Sequence, residues 1–166
     1  KLLFNSGADK LIINSILYTR PDLVKDLVQQ YGSQSLVASI DYSKINGTIN
    51  VFINDGTKKI DMNIEDYLRY IENLGIGEIY LNSIERDGTG FGYDFDTIDN
   101  LSNQLNKPLI VAGGAGNADH LIQGLKRERV DAVATANLFN FIGDGLVNAR
   151  KEIISKNLNI ANWVKK

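Results

Sequence analysis

Short apolar runs alternate with longer amphipathic stretches along the whole chain, and that rhythm leaves few folds open. The runs cover residues 10–13, 36–40, 78–81, 109–112 and 132–136. Each is nearly continuous in apolar residues rather than alternating, the pattern of a strand buried on both faces. The stretches between them read as helices. Pro21 stands at a first helical position, ahead of the stripe Leu23, Val24, Leu27 and Val28, and Gly32 closes the segment. Asn63 is placed to cap a helix whose apolar face is Ile64, Tyr67, Leu68, Ile71 and Leu74, ended by Gly75. Phe95, Ile98, Leu101 and Leu105 recur at helical spacing before Pro108, and two further helices are predicted over residues 118–126 and 145–156.

Strand and helix in strict alternation predict an α/β fold with a parallel sheet. Five strands in 166 residues are too few for an eight-stranded barrel, which takes about 250 residues. An arc of such a barrel and an open doubly wound sheet both satisfy the pattern. One insertion breaks the rhythm after the second strand. Asn46-Gly47 and Asp55-Gly56 flank residues 48–53, which predicts a small β-hairpin on the C-terminal side of the sheet, where active sites of such folds lie.

Composition removes several function classes. The net charge of -2 gives no reason to expect a nucleic-acid partner. Absence of cysteine rules out disulfides and thiolate chemistry and points to the cytoplasm, and a single histidine, His120, argues against a dedicated zinc site. No apolar run approaches the roughly 18 residues of a membrane span, and the first residues lack a signal-peptide pattern. No metal and no cofactor are expected.

The chemistry lies in two glycine-rich loops. Asp87-Gly88-Thr89-Gly90 follows the third strand, and Gly113-Gly114-Ala115-Gly116 follows the fourth and precedes a helix. Glycines let a backbone approach a ligand closely, successive amides and a threonine hydroxyl can cradle phosphate oxygens, and a helix N-terminus adds attraction. Tight strand-to-helix packing would use the same glycines. A short internal repeat relates residues 8–15 to residues 130–137: a leading aspartate, an apolar strand and a small polar exit. Two such exits on opposite sides of a barrel mouth would suit a ligand with a phosphate at each end. Asp41, at the end of the second strand, is a carboxylate whose pKa the fold could tune for proton transfer.

Taken in order, Gly7-Ala8-Asp9-Lys10, Ile13-Asn14-Ser15, Tyr31-Gly32-Ser33-Gln34, Ala38-Ser39-Ile40-Asp41, Gly77-Glu78-Ile79, Arg86-Asp87-Gly88-Thr89, Gly92-Tyr93-Asp94 and Gly113-Gly114-Ala115-Gly116 closely resemble the cyclase subunit of imidazole glycerol phosphate synthase. The resemblance covers essentially the whole chain. It implies a (β/α)8 barrel of the TIM type, incomplete here, with this chain supplying strands four to eight as a single domain over residues 1–166 and the hairpin inserted after strand five. About 85 residues carrying the first three strands are then expected upstream, by the usual barrel length.

Activity and site residues follow from the same resemblance. The family converts a doubly phosphorylated ribulosyl precursor and ammonia into imidazole glycerol phosphate and an aminoimidazole carboxamide ribotide, a lyase reaction of histidine biosynthesis. Two aspartates serve as general acid and base; Asp41 matches the second, and the first belongs to the first barrel strand. Asp87, Gly88, Thr89, Gly113, Gly114, Ala136 and Asn137 match one phosphate site, and Asn14 and Ser15 match part of the other. Lys10 and Glu78 match a ring of charges that gates ammonia at the base of the barrel. Asp9 and Gln34 lie on the face where the family docks the glutaminase subunit that supplies the ammonia. Some residues depart from the pattern: Glu85 replaces an aspartate, Asn137 a serine, Asn140 a histidine and Ile12 a small polar residue. These departures also fit a paralogue that channels ammonia to a sugar amidotransferase in surface-polysaccharide synthesis. The chain alone is expected to be inactive.

Overall fold

The computed structural model describes residues 2–136 and 143–161. The chain opens with α1 (Leu2–Asn5) and enters the sheet at β1 (Leu11–Ile13); α2 (Ser15–Thr19) and α3 (Pro21–Tyr31) return it to β2 (Leu36–Ile45). Then come β3 (Thr48–Ile53), β4 (Lys58–Asn63), α4 (Ile64–Asn73), β5 (Glu78–Ser83), α5 (Phe95–Ser102), β6 (Leu109–Ala112), α6 (Ala118–Leu125), β7 (Ala132–Val133) and α7 (Gly145–Ser155). Two of the expected helix signals act as read, whereas α5 stops at Ser102, short of Leu105 and Pro108. Pro21 opens α3, and the Asn63 side chain accepts the Asp66 amide at the start of α4.

Parallel pairing runs β1-β2-β5-β6-β7, in the order of the chain. A doubly wound sheet reverses direction at a switch point; this one never does. Right-handed crossovers in one direction put every connecting helix on the same face, so the sheet is an open arc with the winding of a barrel. Its two faces differ accordingly. Leu36, Ala38 and Ile40 of β2, Ile79 and Leu81 of β5, and Leu109 and Val111 of β6 are buried in one core with Tyr67, Leu68 and Ile71 of α4, Ile98 and Leu101 of α5, and Leu121 and Ile122 of α6. Each leucine, isoleucine or valine among them contributes about 1.5–3 kcal/mol relative to exposure. The residues between them point to the opposite, concave face, where Ser39, Asp41, Tyr80, Asn82 and Ile110 are only half-buried and Ile12 is 59% exposed.

The insertion is larger than the predicted hairpin. Strand β2 does not stop at Ile40 but continues to Ile45, and two strands rather than one follow it. Asn46 and Gly47 make a two-residue turn with φ of 52° and 78°, the positive pair that matches hairpin twist. Chain reversal at Asn54, Asp55 and Gly56 then leads into β4, which pairs with β3 around a bulge between Asn50 and Phe52. On the same edge of β2, β1 pairs with residues 36–38 and β3 with residues 41–45. The last strand is shorter than expected, because the ladder ends at Val133. No helix among the described residues is long and apolar enough to cross a membrane.

Candidate functional site

Alternation along β2 puts Ser39 and Asp41 on the concave face and Ile40 and Tyr42 in the core. Asp41 is level with Asn82 of β5, and the Asn82 amide donates to its Oδ1 at 3.0 Å. From the other side Asn14 Nδ2 donates to Asp41 Oδ2 at 3.4 Å and to the Ser39 carbonyl at 3.1 Å. Burial pushes the Asp41 carboxyl above its ordinary range; the Asn82 hydrogen bond opposes this, and the charges of Asp55 and Asp87 push it further up. Such an environment tunes a carboxyl for proton transfer.

Beside it, the ends of β5, β6 and β7 enclose a cleft of ≈ 80 Å³. Asp87, Gly88, Gly113, Gly114 and Ala136, all expected at one phosphate site, line it with Tyr80, Asn82 and Thr135. Most of its lining residues are glycine or alanine, which leave backbone amides accessible, and the second glycine loop leads into the N-terminus of α6, so the cleft has the makings of an anion site. Gly113 and Gly114 have φ of 88° and 104°; a Cβ at Gly114 would lie 2.2 Å from the Gly92 carbonyl oxygen. Thr89 does not line the cleft. Its hydroxyl donates to the Arg86 carbonyl at 2.7 Å and accepts the Phe91 amide, which braces the loop from within.

Residues 92–94 fasten that loop to three strand ends. Gly92 N–H donates to Gly114 O after β6 at 2.7 Å, and Tyr93 OH to Ala134 O after β7 at 3.0 Å. Asp94 accepts from Tyr42 OH and Lys44 Nζ of β2. His120 joins the two glycine loops: its Nδ1 accepts the Gly116 amide at 3.0 Å and its ring lies beside Gly92. Glu85, the departure ahead of the first loop, accepts from Ser43 Oγ at 2.8 Å.

Asn14 and Ser15 stand on the opposite flank of Asp41. Ser15 Oγ donates to Asn14 Oδ1 and accepts the Asn54 amide of the hairpin turn at 2.9 Å. Lys10 and Glu78 form an ion pair at the N-terminal end of the sheet, about 13 Å below Asp41 at 3.3 Å per residue. Asp9 and Gln34 are exposed at that same end. Asn137 and Asn140 lie outside the described residues. Sequence reasoning passed over Tyr80 and Asn82. Their signal is the period of two in Glu78, Tyr80 and Asn82, which sets all three on the concave face. Among the described residues no group of three His, Cys, Asp or Glu is placed to hold a metal ion.

Comparison with known proteins gives a consistent result. Residues 1–143 match the sequence model of a family described as histidine biosynthesis protein. A protein of Parasynechococcus marenigrum (strain WH8102), provisionally named imidazole glycerol phosphate synthase subunit hisF2, is 42% identical over 164 residues, which are 98% of this chain and 61% of that protein. The imidazole glycerol phosphate synthase subunit HisF of Chlorobium limicola (strain DSM 245 / NBRC 103803 / 6330) is 36% identical over 139 residues, 84% of this chain and 55% of that protein. Its counterpart in Chlorobaculum tepidum (strain ATCC 49652 / DSM 12025 / NBRC 103806 / TLS) is 32% identical over 157 residues, 95% of this chain and 62% of that protein. The chain thus spans a little over half the length of these relatives.

Proposed function

The chain belongs to the histidine biosynthesis protein family, whose (β/α)8 barrel its open sheet forms in part, and we propose that it carries part of the cyclase site of an imidazole glycerol phosphate synthase. On this reading Asp41 exchanges protons with the substrate during ring closure, as one of two acid/base aspartates. The other would come from outside these 166 residues. The cleft formed by Asp87, Gly88, Gly113, Gly114 and Ala136 grips one phosphate of the doubly phosphorylated ribulosyl precursor, while Asn14 and Ser15 belong to the grip for the other. Thr89 stiffens the first grip, and Asn137 completes it.

Ammonia reaches the site from the opposite end of the sheet. The Lys10–Glu78 pair stands there as its gate, and Asp9 and Gln34 on that rim meet the glutaminase subunit that releases it. The protein works in the cytoplasm. The observation that carries the reading is the placing of Asp41 on the same rim as the glycine cleft, two strand spacings or about 10 Å away, inside a hydrogen-bonded and partly desolvated setting.

The test is complementation of a histidine auxotroph by the intact protein that contains this chain. Growth is expected with the natural residue and not with Asp41→Asn, because loss of a general acid/base costs about 10²–10⁴-fold in rate. A stably expressed intact protein that fails to support growth would overturn the reading, as would an Asp41→Asn variant that supports it fully.

A further inference from the structure

The loop from Ile84 to Asp94 carries Asp87 and Gly88 into the cleft, and both of its ends rest on the three residues that follow Asp41. At its start, Ile84 N–H donates to the Tyr42 carbonyl at 2.9 Å and Ser43 Oγ to Glu85 at 2.8 Å. At its end, Tyr42 OH donates to Asp94 Oδ2 at 3.2 Å and Lys44 Nζ to Asp94 Oδ1 at 3.0 Å. The alternation of β2 makes this arrangement possible. Asp41 and Ser43 face the concave side, whereas Tyr42 and Lys44 face the helices and meet at Asp94. Asp94 is buried at 5% exposure and Tyr42 at 1%, whereas the Lys44 side chain keeps 33%, so the contact is shielded from solvent on its Tyr42 side and half-buried on its Lys44 side. A charge-assisted hydrogen bond in such a place is stronger and more directional than its surface counterpart.

We propose that Tyr42 and Lys44, acting through Asp94, are positioning residues that fix the phosphate-gripping loop relative to the Asp41 carboxylate. This rests on the cyclase reading above. A substrate held at its phosphates presents its reacting atoms to Asp41 at a distance set by this contact, and misplacement by about 1 Å costs on the order of 10²-fold in rate. The contact touches no phosphate-lining residue directly. Its loss therefore lets the loop shift and loosen without removing any group that holds the phosphate, which lowers kcat more than it raises KM.

The experiment uses the intact enzyme, supplied with ammonium salt, and compares Lys44→Met, Lys44→Arg and Tyr42→Phe with the natural protein. Lys44→Met is expected to lower kcat roughly 10–100-fold with KM for the phosphorylated substrate changed less than about threefold, and Lys44→Arg to restore most of kcat by keeping the charge. Tyr42→Phe, which removes only the phenolic oxygen, is expected to lower kcat severalfold and serves where Lys44→Met does not fold. A purely structural contact would lower the melting temperature and leave kcat at 25 °C unchanged, and that result overturns the proposal. So does a rise in KM at constant kcat, or failure of Lys44→Arg to restore the rate. Hydrogen exchange at the amides of residues 85–93 is read alongside, and about tenfold faster exchange is expected in Lys44→Met. Unchanged exchange overturns the anchoring even if the natural enzyme shows no turnover, whereas absent turnover with faster exchange removes the cyclase reading and leaves the anchoring standing.

Discussion

Asp41 acquires its chemistry from its neighbours. Burial holds its carboxyl above the ordinary range and Asn82 holds it back, so Asn82→Ala is expected to shift the acidic limb of kcat/KM to higher pH. A profile that stays in place would show that Asn82 does not tune this carboxyl. The raised pKa also has a sign for stability: the folded state binds the proton more tightly, so stability falls as pH rises from the unfolded-state value of about 3.9 through the folded one. At neutral pH, Asp41→Asn is therefore expected to raise the melting temperature while it abolishes turnover, the trade-off usual at active sites. Gly114 is constrained differently. With φ at 104° and the Gly92 carbonyl where a Cβ would go, Gly114→Ala is expected to cost more than about 2 kcal/mol in urea unfolding and to open the cleft. Asp41 and Gly114 could be read in sequence, because one ends an apolar run and the other sits in a glycine cluster. Asn82 could not, since its role exists only through its register with β2.

At the level of elements, strands and helices were legible wherever burial wrote them as apolar runs or capped stripes. Asn46-Gly47 announced its turn for a different reason: the dipeptide takes the two positive φ values that the hairpin needs. What stayed hidden was the length of β2 and the existence of β4. Ser43 and Lys44 are polar because they make the contacts to Glu85 and Asp94, and β4 offers only Ile60 and Met62 as apolar residues to reveal it. The junction of β2 with α5 carries its own pH dependence. Burial raises the Asp94 carboxyl, but Thr97 and Lys44 outweigh it, so the folded pKa lies below the ordinary value. Stability from Asp94 is then present above about pH 3.9 and lost as pH falls through the lower, folded value. Asp94→Asn is expected to flatten that acid loss in a series of urea midpoints. A variant curve parallel to the natural one would show that the ion pair is not its source.

For the molecule as a whole, the sheet has one face sealed by helices and one that remains half-open, with Ile12 exposed on it. Taken by itself the 166-residue chain is expected to show no ammonia-dependent turnover and to self-associate, which light scattering would report as a mass above that of one chain. Turnover by the isolated chain would mean that the described arc holds a complete site. That the chain contributes an arc of a barrel was legible only in part. The apolar runs specify parallel strands, but the one-way winding that excludes a doubly wound sheet is a property of strand order. Strand β2 is where these facts meet, because β1, β3 and β5 all pair with it. A slip of β2 by one residue against these partners would turn Asp41 into the hydrocarbon core and Tyr42 out to the open face. Three independent ladders reject that error together, so correct chemistry in refolded protein doubles as a report that β2 has settled in register.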